Sequence, residues 1–265
     1  MLVTRIITGA ILGVAIAVTL LLLPTPVAAG VFGLLWLAGA WEWGGFALLT
    51  GSARALYTLA LGIGMGACWF WQAPGLVLIL LVVALVWWAF AFGAVVRFPQ
   101  RFALGFVAAA GFVVLLPSWL LLVWMHGSTA LGSELAFTLM VIVWAADVGA
   151  YAFGRWLGRV KLAPAVSPGK TWEGVGGGLL AAALVAAVAA RLLGLPVLGF
   201  VGLGLATALV SVLGDLAQSM FKRNVGLKDS GKLLPGHGGV LDRFDSLTAA
   251  IPVFVLGLEL LGVFG

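Results

Sequence analysis

The sequence is short of charged residues and of cysteine. Only 9% of its 265 residues are charged, against about 25% in a typical soluble domain. The single cysteine, Cys68, excludes an intrachain disulfide and a cysteine-based metal site. With 63% hydrophobic residues and a mean hydropathy of +1.22, the chain is predicted to be a polytopic membrane protein.

Signs of secretion and of nucleic-acid binding are absent as well. The first apolar run is followed by Pro24-Thr25-Pro26 instead of a small-residue cleavage site, which predicts a retained first span. The net charge of +5 comes without a basic stripe interleaved with aromatic residues. We therefore expect no nucleic acid among the partners.

Nine apolar runs have the length of a membrane span, which needs about 20 residues. They cover residues 6-23, 27-49, 55-72, 75-96, 102-124, 135-154, 174-193, 196-218 and 247-264. The predicted fold is thus an all-α polytopic membrane protein with about nine transmembrane helices. Pro117, inside the fifth run, predicts a kink or a re-entrant bend.

Lysine and arginine are distributed unevenly between alternate loops of this arrangement. Thirteen of the fourteen fall on one side, and only Arg191 falls on the other. By the positive-inside rule, the N-terminus is predicted to be cytoplasmic and the C-terminus to lie outside. We divide the chain into an N-terminal transmembrane region, residues 1-134, with five of the spans, and a C-terminal catalytic region, residues 135-265. Its polar loops, 155-173 and 219-246, are predicted to be cytoplasmic.

Three acidic residues fall inside predicted spans. Glu42, Asp147 and Asp215 all lie toward cytoplasmic ends, which predicts a polar cavity at that face. For Glu42, between Trp41 and Trp43, an anchor in an aromatic belt is an equally good interpretation.

The largest group of charged residues lies between residues 214 and 246. Asp215, Ser219 and Lys222 recur at i, i+4 and i+7, so they share one face if this run is helical. The glycine-rich segment 235-239 cannot be regular helix, and its backbone N–H groups can approach a phosphate closely.

Two further carboxylates follow that segment. Asp242 and Asp245 would share a face of a helix that begins near Val240. Carboxylates around a loop of bases suit magnesium with a polyphosphate. The alternative is a solvated loop whose bases only follow the positive-inside rule, with Asp245 or Ser246 as an N-cap.

A second polar segment covers residues 147-173. Its stretch SPGKT, residues 167-171, is similar to part of a P-loop, but Pro164 occupies the position of the first glycine of that motif. We still expect Lys170 and Thr171 to face phosphate, because a helix opens directly after them and helix N-termini attract anions.

One long pattern resembles a known family. Residues 219–245 match S-x-x-K-R-x4-K-D-x-G-x3-P-G-H-G-G-x-x-D-R-x-D, the signature of phosphatidate cytidylyltransferases (CDP-diacylglycerol synthases), at each fixed position. The stretches DVGAYAFGRWLGRVKL and SPGKTWEG extend the resemblance upstream. It implies a multi-pass enzyme of the bacterial cytoplasmic membrane that forms CDP-diacylglycerol and pyrophosphate from CTP and phosphatidate, with Mg²⁺ and as a homodimer.

The resemblance also suggests roles for individual residues. Asp215 and Asp242 would hold magnesium, with Asp245 and Asp147 beside them or on a second cation. The catalytic set is Asp215, Asp242, Asp245, His237 and Lys222, where His237 either donates to a phosphate or protonates the leaving pyrophosphate. Substrate contacts are assigned to Ser219, Arg223, Lys228, Arg243, Gly238, Gly239, Lys170, Thr171 and Asp147.

Two other functions remain open at this point. A related enzyme could use CTP with a polyprenol or another lipid. An ion-coupled transporter also carries acidic residues near broken helices. Against the transporter, the charges gather toward one face and no inverted repeat is visible.

Overall fold

The computed structural model describes residues 2–71, 75–231, 233 and 238–264, and α-helices dominate this part of the chain. The helices are α1 (Leu2–Leu22), α2 (Thr25–Phe46), α3 (Gly51–Phe70), α4 (Leu76–Val96), α5 (Leu104–Ser128), α6 (Gly132–Leu157), α7 (Trp172–Leu193), α8 (Val197–Asn224) and α9 (Asp245–Leu260). Each predicted span corresponds to one of these helices.

Seven of these helices are long and apolar enough to cross a membrane. The two others are α1, with the apolar stretch Gly9–Leu22, and α9, with 16 residues. At a rise of about 1.5 Å per residue, α9 is about 24 Å long, shorter than a hydrocarbon core of about 30 Å. A multi-pass membrane protein is therefore confirmed, with seven candidate spans in the described part of the chain.

A short β-hairpin interrupts the helical architecture between α6 and α7. Strand β1 (Lys161–Ala163) pairs antiparallel with β2 (Ser167–Thr171), with Lys161 opposite Thr171 and Ala163 opposite Ser167. An all-helical prediction missed this hairpin, because three to five paired residues leave no alternation long enough to recognise. The hairpin leads directly into α7.

The chain forms two compact units that interleave along the sequence. Unit 1 comprises Met1–Val83, Arg101–Phe137 and Phe221–Phe244, and unit 2 comprises Ala84–Gln100, Thr138–Met220 and Asp245–Gly265. This is a different division from the one after residue 134, because segments from both halves of the sequence enter each unit.

In unit 1, α2 packs against α5 through large buried aromatic residues. Trp36 donates from Nε1 to Ser118 Oγ at 2.9 Å, and Trp43 donates from Nε1 to Val107 O at 2.7 Å. Helix α5 continues through Pro117, so the predicted re-entrant bend is wrong. A transmembrane helix tolerates this proline where neighbouring groups re-satisfy the freed carbonyl.

In unit 2, α6 and α7 approach each other across small residues. A Cβ added to Gly174 would lie 2.8 Å from Ala150 O, and one added to Gly178 would lie 2.7 Å from Ala146 O. Only glycine permits a backbone approach this close, which is the usual way that membrane helices associate tightly. The contact fixes the end of the hairpin relative to α6.

This packing gives a stability prediction with a control on the same helix. Gly178→Ala should destabilise the protein by about 1–3 kcal/mol, because the new methyl group overlaps a backbone carbonyl. Gly176→Ala should be neutral or slightly stabilising, since its Cβ meets nothing within 4 Å and alanine favours helix. The measurement is the thermal midpoint in detergent, and equal midpoints for the two variants would contradict the packing.

Candidate active site

A buried ion pair joins the end of α8 to the segment before α9. Lys222, in the last turn of α8, donates from Nζ to Asp242 Oδ1 at 2.7 Å. The two side chains are only 9% and 10% exposed. Since removing one partner of a buried pair leaves the other charge uncompensated, each of these side chains depends on the other.

The Asp242 carboxylate also accepts from two backbone N–H groups. Ser230 N and Gly239 N donate to its Oδ2 at 2.9 and 3.1 Å. The preceding residue, Gly238, has a φ of 82°, a conformation that glycine adopts without strain. The glycines of the signature thus let the chain turn so that a backbone N–H meets a carboxylate.

These contacts decide the charge of Asp242. Burial alone would raise the pKa of its carboxyl group, but the hydrogen bond and charge of Lys222 outweigh burial. The N–H groups of Ser230 and Gly239 act in the same direction, and the pKa lies below its ordinary value. Asp242 is therefore an anion at neutral pH.

A second carboxylate of unit 1, Glu42 on α2, accepts from the same segment. Its Oε2 accepts from Ser230 Oγ and from Leu241 N, both at 2.8 Å, and its Oε1 accepts from Val240 N at 3.0 Å. Glu42 is only 1% exposed. The interpretation of Glu42 as an anchor in an aromatic belt is therefore wrong, because the carboxylate faces the protein interior.

In unit 2, a cluster forms around Asp215 on α8. Lys170 Nζ, on β2, lies 2.6 Å from Asp215 Oδ2, and Ser219 Oγ donates to Asp215 Oδ1 at 3.1 Å. The side chains of Lys170 and Asp215 are 24% and 30% exposed, so this pair is more open than Lys222–Asp242. The helical face predicted for Asp215 and Ser219 is confirmed, and the hairpin that the sequence did not predict supplies the lysine.

Thr171 caps the helix that follows the hairpin. Its side chain is buried, and its Oγ1 accepts from Gly174 N at 3.2 Å. Helix α7 thus begins at Trp172 with one of its first N–H groups satisfied. Contact of Lys170 and Thr171 with phosphate stays a prediction.

The remaining acidic residues are placed differently from one another. Asp245 begins α9 and is 8% exposed, with Oδ1 accepting from Ser246 N at 2.8 Å. Asp242 lies in a separate 3-10 helix, Leu241–Arg243, so the prediction of a single helix carrying both residues is wrong. Asp147 is exposed on α6.

Three of the predicted phosphate-binding bases are exposed, namely Arg223, Lys228 and Arg243. Arg223 Nη1 donates to Leu227 O at 2.9 Å, which fixes the turn after α8. His237, predicted to be an acid or a hydrogen-bond donor, lies outside the described residues.

The sequence model of the cytidylyltransferase family matches residues 3–261. This chain belongs to that family. A phosphatidate cytidylyltransferase of Pseudomonas aeruginosa is 43% identical over 238 residues, 82% of each chain. One of Haemophilus influenzae is 37% identical over 281 aligned positions, which cover 96% of this chain and 97% of that protein. One of Brucella suis is 48% identical over 140 residues, about half of each chain.

Sequence reasoning missed the contact between Glu42 and Ser230. Ser230 occupies a position that the family signature leaves variable, so the pattern gave no reason to select it. The only signal at Glu42 was an acidic residue within an apolar run, and the adjacent tryptophans gave that residue a second interpretation.

Removing the charge of Lys222 should change the pH dependence of cytidylyl transfer. In Lys222→Met, Asp242 loses its cation while burial still raises its pKa, so the carboxylate is lost at a higher pH. The acid limb of the activity profile should move to higher pH, and kcat/KM at neutral pH should fall about tenfold or more. The control is Arg101→Met, the same loss of charge at an exposed position of unit 1, whose acid limb should stay at the wild-type pH. An acid limb that stays at the wild-type pH in Lys222→Met would show that this ion pair does not set it.

Proposed function

We propose that this chain condenses CTP with phosphatidate to give CDP-diacylglycerol and pyrophosphate, in phospholipid biosynthesis. The observation that carries the proposal is the match to the phosphatidate cytidylyltransferase of P. aeruginosa, at 43% identity over 82% of both chains. The lipid is an anion anchored in the membrane and CTP is soluble, so the reaction requires charged groups at a membrane surface. The lysine–aspartate pairs, each of which joins the polar end of apolar helix α8 to an adjoining segment, suit that requirement.

The reaction is a substitution at phosphorus. An oxygen of the phosphatidate phosphate forms a bond to the α-phosphorus of CTP, and the bond from that phosphorus to the oxygen bridging to the β-phosphorus breaks. Pyrophosphate leaves with the bonding electron pair. Phosphatidate is already ionised at neutral pH, so no side chain needs to act as a general base. What the protein must supply is positioning and neutralisation of negative charge.

Lys222 and Lys170 are suited to neutralise that charge. Each lysine already lies within hydrogen-bonding distance of an aspartate, so its ammonium group is held in place before substrate arrives. In our proposal both lysines bind phosphate oxygens, together with the exposed Arg223, Lys228 and Arg243. Of the two predicted glycines, Gly238 would offer its backbone N–H to phosphate, because Gly239 N already donates to Asp242.

The donor chemistry fits magnesium. Mg²⁺ usually takes one or two carboxylates, several waters and substrate phosphates, so it does not need three clustered protein ligands. Asp215 is 30% exposed, and Asp242 is ionised with one lysine contact at Oδ1. In the described residues no group of three or more His, Cys, Asp or Glu side chains that could hold a metal ion occurs. We propose Asp215 and Asp242 as ligands, with Asp245 and Asp147 as candidates beside them or on a second cation. The ion would offset negative charge on the transferred phosphoryl group.

The proposed setting is the bacterial cytoplasmic membrane. The seven apolar helices and the bacterial relatives support it, and the lysine and arginine bias supports a cytoplasmic N-terminus and an external C-terminus. A polar cavity at the cytoplasmic face and a homodimer remain part of the proposal.

Replacing either aspartate with asparagine should abolish product formation, and the yield of folded protein is measured alongside, because Asp242 also pairs with the buried Lys222. Asp215→Asn and Asp242→Asn should each lower CDP-diacylglycerol formation by about a hundredfold or more, because an amide is a poor ligand for a hard cation. The assay uses purified protein in detergent with labelled CTP, phosphatidate and Mg²⁺, and it follows label into lipid. Asp229→Asn, an exposed acid of the same loop, is the matched control and should be milder. Near-normal turnover of Asp215→Asn at saturating Mg²⁺ would refute the metal assignment, and a wild type that labels a polyprenol but not phosphatidate would refute the substrate.

The orientation is testable with single cysteines in a Cys68→Ser background. Ala165→Cys lies at the exposed turn of the hairpin, and Ala130→Cys lies in the exposed turn between α5 and α6. The proposed topology predicts that a membrane-impermeant maleimide labels the first only from the cytoplasmic side and the second only from outside. Labelling of Ala165→Cys from outside would reverse the topology and exclude cytosolic CTP from that hairpin.

A further inference from the structure

Glu42 comes from the second helix of the chain, far in sequence from the signature between residues 219 and 245. Its carboxylate nevertheless accepts three hydrogen bonds from that signature, at 2.8 to 3.0 Å. The donors are one hydroxyl, Ser230 Oγ, and two consecutive backbone N–H groups, Val240 N and Leu241 N. These three hydrogen bonds tie the buried Glu42 side chain to the signature.

Glu42 and Asp242 accept hydrogen bonds from the same residue, Ser230, and from three consecutive residues, Gly239 to Leu241. Ser230 donates with its hydroxyl to Glu42 and with its backbone N–H to Asp242. Gly239 N donates to Asp242, and the next two N–H groups donate to Glu42. Glu42 therefore fixes the side chain of Ser230 and the backbone directly after Gly239, beside both N–H groups that Asp242 accepts.

Two fixed glycines of the signature are explained by the same carboxylate. A Cβ added to Gly231 would overlap the Glu42 carboxylate, and one added to Gly239 would overlap both Ser230 Oγ and Glu42. Any larger residue would push the segment away from α2. The close approach of α2 is thus part of the geometry that the signature preserves.

The surrounding face of α2 supports the contact. Trp36 packs on Phe244 with ring centroids 5.4 Å apart, and a Cβ at Gly39 would lie 3.4 Å from Leu241. Trp36, Gly39 and Trp43 recur at i, i+3 and i+7, so they form one stripe, with Glu42 at its edge. The stripe holds the 3-10 helix Leu241–Arg243 against α2.

Arg54 stabilises the helix end that carries Glu42. Its guanidinium lies over the Trp41 ring at 4.8 Å from the centroid and donates to Trp41 O. Its positive charge also interacts with Glu42. A cation near the C-terminus of α2 is favourable for the helix dipole as well.

From this geometry we infer that Glu42 is a positioning residue for cytidylyl transfer, which holds Ser230, Val240 and Leu241 so that Asp242 and Lys222 meet CTP and its cation. The inference rests on the proposed function. According to this inference, helix α2, one of the N-terminal spans, helps to shape the active site. Glu42 itself need not touch the substrate.

Glu42→Gln is the sharpest test, because glutamine keeps the shape and changes one acceptor into a donor. With its oxygen at the Oε2 position, the amide NH₂ faces Val240 N–H. In the flipped orientation it faces Leu241 N–H. Either orientation leaves one buried backbone N–H without its acceptor, whereas Ser230 Oγ finds a partner in both.

We expect the half-saturating CTP concentration at fixed Mg²⁺ to rise about tenfold in Glu42→Gln, with the KM for phosphatidate unchanged. A change that only lowered the folded fraction would reduce the maximal rate and leave both KM values as they are. Amide hydrogen exchange should rise in peptides covering residues 227–244 and stay at the wild-type rate in α5. Ser230→Ala removes one of the three donors to Glu42 and leaves both backbone N–H donors in place. It should therefore raise the half-saturating CTP concentration and the hydrogen exchange by smaller amounts than Glu42→Gln does.

Glu259→Gln is the matched control, the same change at an exposed position near the end of α9, and it should behave as wild type. The inference is overturned if Glu42→Gln keeps the wild-type KM for CTP, or if its hydrogen exchange rises throughout unit 1 and not only in 227–244. Failure of the proposed function is a separate result, because it would appear as absence of CDP-diacylglycerol with the wild-type protein. The exchange measurement needs no activity at all.

Discussion

Carboxyl groups buried inside an apolar chain must meet hydrogen-bond donors or a cation, and this constraint organises the polar segments of the protein. An isolated buried carboxylate is far too costly to retain its charge, so its surroundings have to supply hydrogen bonds or a cation. Glu42 meets a hydroxyl and two backbone N–H groups, while Asp242 meets Lys222 and two more N–H groups. The course of the chain at Ser230 and from Gly239 to Asp242 follows from those contacts.

The same constraint explains how a membrane protein can prepare a site for a polyphosphate. The lysines are needed to bind phosphate, and the aspartates are needed to bind a cation. Burying either kind of charge alone in apolar surroundings would cost several kcal/mol. In the pairs Lys222–Asp242 and Lys170–Asp215, each charge is compensated by the other in the folded protein. In the proposed reaction each lysine exchanges its aspartate for a phosphate oxygen, so substrate binding replaces one set of charge contacts with another.

Much of the fold could be predicted from the sequence, since long apolar runs have few structures other than membrane helices. The helical face of Asp215 and Ser219 was also predictable, because the spacing of four residues is a local property of a helix. The hairpin that carries Lys170 was not, because its strands are too short to show a pattern. Glu42 could not be assigned either, since its three donors lie about 190 to 200 residues away in the chain and only tertiary structure brings them together.

The central proposal is that Asp215 and Asp242 are both ligands of the Mg²⁺ that acts with CTP. Binding of Mn²⁺ in place of Mg²⁺, followed by electron paramagnetic resonance with and without CTP, tests it most directly. The account predicts a tight, CTP-dependent Mn²⁺ site in the wild type that is lost in Asp215→Asn and equally in Asp242→Asn. Retention of that site in either variant would contradict the account.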